Sequence, residues 1–132
     1  MKTAFSFLAF ASLLVASGCT NETDSGTPTV TYPISYMVET SGGTIAVTQV
    51  QYTDTDGSTV VELNPALPWS VNAVRGGGQT AQLVVTGSTG GSSTITARIQ
   101  DDPAEVTTPV THAEASCVEN TNPCTIDVSN TF

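Results

Sequence analysis

Acid–base chemistry in this chain would rest on a single imidazole or on paired carboxylates. His112 is the only histidine, and beyond Lys2 there is no lysine to act as base or nucleophile. Such catalysis needs a base held against a nucleophile, or paired carboxylates across a cleft. His112 sits in Thr-His-Ala-Glu with no nucleophile motif beside it, and reads as a strand-end or surface residue. Asp101 and Asp102 are adjacent, so on a strand they face opposite ways; they suit a turn better than an acid/base pair. No catalytic residue is assigned, and the chain is expected not to be an enzyme.

Asp54 and Asp56, in Asp-Thr-Asp-Gly, are weak calcium candidates, with Asp101 a more distant third. Their spacing does not fit the twelve-residue EF-hand loop with its distal Glu. Hairpin-turn chemistry explains the same residues. Two cysteines and one histidine cannot supply an ordinary structural zinc site. Gly76-Gly77-Gly78 lacks the following Lys-Ser/Thr of a phosphate cradle. No metal and no cofactor are expected.

The three cysteines divide by position. Met1-Lys2-Thr3 is a basic start, and Ala4 to Ala16 carry no charge. This is the layout of a secretory leader, too short for the roughly 20 apolar residues of a membrane span. Val15-Ala16-Ser17-Gly18-Cys19 resembles the bacterial lipobox, with Ala16 where that family more often has Leu. The resemblance implies a signal peptide at 1–18, cut before a Cys19 that carries diacylglycerol. At about 0.8 kcal/mol per buried methylene, two or three acyl chains hold firmly. Thr20 in place of Asp implies the outer membrane where the host has two. Cys117 and Cys124 remain as an even pair in an exported chain, and are expected to form a disulfide.

Without the leader, Arg75 and Arg98 stand against twelve acidic residues. Such a surface repels phosphate backbones, which excludes nucleic acid as a partner. It also avoids anionic head groups, so the lipid and not the domain must make the membrane contact.

The elements that position these residues are strands. Residues 19–29 form a polar linker after the lipidated cysteine; from Val30 to Phe132 the pattern has period two. Ile34, Tyr36 and Val38 share one face, and Ser41-Gly42-Gly43 turns the chain. Thr44–Thr53 and Thr59–Leu63 flank Asp-Gly, a strong hairpin signal. Asn64-Pro65-Ala66-Leu67-Pro68 breaks the pattern. Then Trp69, Val71 and Ala73 alternate, followed by Ala81, Leu83 and Val85, a turn at Gly87–Gly91, and Ile95, Ala97 and Ile99. Val106–Val110, Ala113–Val118 and Thr125–Val128 are weaker candidates. Seven to eight short strands predict an all-β, Ig-like two-sheet antiparallel sandwich, with Trp69 as its core anchor.

Tyr52 before Asp54-Thr55-Asp56-Gly57, then Leu67-Pro68-Trp69-Ser70 and Ile95-Thr96-Ala97-Arg98-Ile99, resembles the soluble domain of the mycobacterial MmpS family (mycobacterial membrane protein small). Those are envelope proteins with a β-sandwich that partner lipid exporters. The likeness spans about Tyr36 to Val118. It departs at Ala97, where family members tend to carry cysteine, and in the lipid that replaces a transmembrane helix. The resemblance implies an envelope setting and a transporter partner. The expected function is therefore a lipid-anchored cell-envelope binding or accessory module. The alternative is a surface-displayed adhesin recognising glycan or matrix, which an exposed aromatic groove would favour and a buried Trp69 would oppose.

Overall fold

Eight segments of alternating side chains become eight strands in the computed structural model, which describes residues 29–132. The signal peptide, Cys19 and the linker up to residue 28 lie outside the described residues. The strands are β1 (Thr31–Ser41), β2 (Thr44–Thr53), β3 (Thr59–Leu63), β4 (Trp69–Gly76), β5 (Thr80–Gly90), β6 (Thr94–Asp101), β7 (Thr111–Val118) and β8 (Cys124–Thr131). They form two antiparallel four-stranded sheets, in the orders β4-β1-β6-β7 and β3-β2-β5-β8. The fold is a two-sheet β-sandwich.

The alternation decides which face goes inside. Ile95, Ala97 and Ile99 on β6 are fully buried between Thr94, Thr96 and Arg98. Ile34, Tyr36 and Val38 on β1 meet Val50 and Tyr52 of β2 and Leu83 and Val85 of β5 in one continuous core. Burying each such aliphatic side chain contributes about 1.5–3 kcal/mol.

β7 and β8 run longer than the sequence expectation, and three further differences have a physical reason. β1 begins at Thr31, ahead of the expected Ile34, and so contains Pro33 inside a central strand. Pro33 sits opposite Val74 of β4, whose N–H points away to Thr55 Oγ1, and β6 pairs only from Ile34 onward, so no ladder bond is asked of its missing N–H. β5 does not turn at Gly87 but runs on to Gly90. Gly87 faces a bulge in β2 between Val47 and Gln49, and a Cβ there would collide with the Ala46 carbonyl. Here the glycine marks a close backbone approach. Val106–Val110 is loop, not strand. Asp102 O accepts from Glu105 N and Val106 N, and Asp101 Oδ2 accepts from Val110 N, while Pro103 and Pro109 offer no donor.

The connections sort by end. At one end, the switch end, all four links β1–β2, β3–β4, β5–β6 and β7–β8 pass from one sheet to the other. The other, the hairpin end, carries the β2–β3 and β6–β7 hairpins and the β4–β5 crossing. Val30 and Phe132 both lie there, bonded to the β4–β5 turn: Gly77 N donates to Val30 O, Gly78 N to Phe132 O.

Each open side of the sandwich is fastened. Cys117 and Cys124 form the expected disulfide, joining β7 to β8 across the two sheets. On the opposite side the Trp69 indole N–H at the start of β4 donates to Glu62 of β3 at 2.8 Å.

Two stability measurements check this picture. Gly87→Ala should lose about 1–3 kcal/mol by overpacking, whereas Gly43→Ala, whose new Cβ meets nothing nearer than 3.4 Å, should unfold close to wild type. Equal shifts in thermal midpoint would refute the close approach. Reducing the disulfide should cost about 2–2.5 kcal/mol in the chain-entropy description of a short loop, read from urea unfolding with and without reductant.

Candidate functional site

The side chains capable of chemistry fall in separate places. Asp54 and Asp56 lie in the β2–β3 loop, where Asp54 N donates to Ser58 O and Gly57 N to Asp54 O. Gly57 closes the turn at φ 87°, a left-handed conformation that glycine adopts without strain. The Asp54 carboxylate accepts from Thr55 N at 2.7 Å, and that of Asp56 from Ser58 N at 2.8 Å. The Ser58 bonds hold the Asp56 carboxyl below its ordinary range. Both carboxylates thus serve their own turn. Among the described residues no three His, Cys, Asp or Glu side chains are grouped to hold a metal ion.

Thr55 and Arg75 fasten this loop to β4. Val74 N donates to Thr55 Oγ1 at 3.1 Å, and Arg75 Nη1 donates to the Asp54 carbonyl. Arg75 shares its parity with Trp69, Val71 and Ala73, so it turns inward and is only 3% exposed. Its Nε has no partner among the described residues. Beside it, Tyr36 donates its hydroxyl to Thr53 O at 2.8 Å. Burial pushes the Tyr36 phenol up to about 12, against the opposing pull of the Arg75 charge.

Trp69 lies in the core at 8% exposure. Tyr36, Tyr52 and Trp69 form a run of tilted rings with centroids 5.6 and 5.5 Å apart, a geometry favoured by the ring quadrupoles. Burial raises the Tyr52 phenol, and the negative charges of Glu62 and Asp54 raise it further.

His112 stands at the bulge where β7 leaves register with β6. Its Nε2 is 2.7 Å from Asp101 Oδ1, and its ring meets Phe132 edge-on. No hydroxyl or thiol among the described residues bonds that ring, so the pair lacks a nucleophile. Asp101 and Asp102 do face opposite ways: Asp102 accepts from Asn72 Nδ2 at 2.9 Å. On the solvent side of the same sheet, Arg98 Nη2 donates to Glu39 at 2.7 Å, and its Nε lies 3.3 Å from Glu114.

Among the described residues, two concavities stand out on the surface. One, of about 370 Å³, lies near the switch end between Glu39, Thr40, Ser41, Thr96 and the Leu67-Pro68 loop. The other, of about 280 Å³, lies near the hairpin end and includes Asn72, Asp102 and Glu105. Neither gathers His112, Cys117 or Cys124.

The chain matches no family model and no curated protein. Its surface offers one feature that the motifs did not foretell: exposed aliphatic side chains, with Val61 and Leu63 on edge strand β3 among them. Every aromatic among the described residues is buried or half-buried. The Glu62–Trp69 and Arg75–Asp54 pairs also went unread. Strand parity carried the signal, since Glu62 shares a face with Val60 and Arg75 with Ala73.

The Asp101 carboxyl is held below its ordinary value, first by the His112 hydrogen bond and then by Val110 N. Its stabilisation is therefore present above the unfolded carboxyl value near 3.9 and is lost as pH falls through the depressed one. Asp101→Asn should flatten the fall in urea midpoint on acidification below about pH 4. An acid limb as steep as wild type would refute a contribution from this pair.

Proposed function

We propose that this chain is a lipid-anchored binding or accessory module of the cell envelope, whose partner is another envelope protein. The observation that carries the reading is the kind of surface the sandwich presents. Its rings pack inward while Val61, Leu63 and Val118 lie exposed. Glycan recognition favours an exposed ring, which the described residues lack; aliphatic side chains on a strand edge suit a protein contact. That weighs against the adhesin alternative.

The setting is supported by the leader and the Cys19 lipobox in the sequence, and by a disulfide of the kind that persists in oxidising compartments. In this reading the tether would enter the domain at Val30, at the hairpin end. The MmpS-like motifs make an envelope transporter the first partner to seek.

Fractionating cells that express the full chain tests the anchor. The wild type should sediment with membranes, and mass spectrometry should place a diacylglycerol thioether on an N-terminal Cys19. Cys19→Ala should appear in the soluble fraction. A wild-type product that is unacylated and freely released would overturn the reading.

A further inference from the structure

The sandwich has four edge strands, β4, β7, β3 and β8, and three of them carry local devices. Along β4, Thr55 Oγ1 takes the Val74 N–H and Gln79 Oε1 takes that of Gly76. The β7 and β8 edges are pinned to each other by the disulfide. β3 is different. It pairs with β2 on one side, and among the described residues no strand pairs with the other.

Antiparallel pairs alternate between those that exchange hydrogen bonds and those that do not. Asp54 N bonds Ser58 O and Asn64 N bonds Thr48 O, which sets the alternation along Thr59–Leu63. Val60 and Glu62 turn their peptide groups toward β2; Thr59, Val61 and Leu63 turn theirs outward, unpaired. Two of those same residues carry the exposed side chains, Val61 at 49% and Leu63 at 70%. One five-residue edge, about 17 Å long, therefore offers both a row of backbone donors and acceptors and an apolar strip.

Charge selects the occupant. Both arginines of the domain are committed, Arg75 inside and Arg98 to Glu39 and Glu114. A second copy would bring a like-charged acidic surface to this edge. Glu62, on the inward face of β3, gives one oxygen to Trp69 and retains acceptor capacity for a cation. We infer that β3 receives an extended segment of a basic partner protein, paired antiparallel. Apolar residues of that segment lie beside Val61 and Leu63, and a lysine or arginine on its other face meets Glu62. This rests on the binding-module reading and names the chemistry of the partner.

The probe is a capped heptapeptide alternating lysine and valine, titrated into the isotope-labelled full chain. Amide shifts and exchange protection should appear at Thr59, Val61 and Leu63. An alternating glutamate–valine peptide should bind about tenfold or more weakly. Val61→Pro removes an outward N–H that the fold does not use, and should abolish protection while leaving the thermal midpoint near wild type. Glu62→Gln should weaken the lysine peptide alone. No protection at the three amides, equal affinity for both peptides, or the same protection from self-association without peptide would each overturn the proposal. The anchor is read independently: a membrane-bound, acylated chain that fails this titration loses only the β3 assignment.

Discussion

Two backbones must pass unusually close for this sandwich to exist. The β1–β2 corner at Gly42 rests on the Ser92–Ser93 backbone of the β5–β6 corner, and a Cβ at Gly42 would occupy the place of the Ser92 carbonyl. Gly42 also holds φ 92°, in the region that only glycine enters freely. At these corners β1 and β6, adjacent in one sheet, hand over to β2 and β5, adjacent in the other. The central ladders of both sheets are thus placed by one contact without side chains. Gly87 against Ala46 extends the same close packing one step down β5.

From that crossing the core follows. Ile34, Tyr36 and Val38 face inward because β1 leaves the corner in a defined register with β6. The tyrosine of this set starts the run of rings that ends at Trp69, whose polar atom reaches Glu62. One flank is therefore held by an indole–carboxylate hydrogen bond and the other by a covalent bridge. A buried indole N–H needs such a partner, which explains why an acidic residue is tolerated on the inner face of an edge strand. An inward charge on an edge also discourages indiscriminate strand pairing, leaving β3 open to a matched partner.

Local patterns were legible in the sequence, and distant partners were not. Ile95-Ala97-Ile99 announced β6 because alternation is a property of the segment itself. Asp-Thr-Asp-Gly announced its turn because those side chains bond their own loop. Cys117 and Cys124 could be paired by counting, and they are paired. Gly87 misled because glycine in a turn and glycine under another strand look alike until the neighbour, Ala46, is in place. Val106–Val110 misled because its alternation is overridden by captures from Asp101 and Asp102. Arg75 and Glu62 were visible only to a reader who applied strand parity to charged residues as strictly as to apolar ones.

The placement of β1 has a mechanical consequence. It is a central strand, paired with β4 from Thr31 to Val38 and with β6 from Ile34 to Ser41. Antiparallel hydrogen bonds run perpendicular to the strands. Tension applied through Val30 along β1 therefore loads both ladders in shear, so that many bonds must yield together instead of opening one at a time. A domain pulled from this end resists force along a strand braced on both sides.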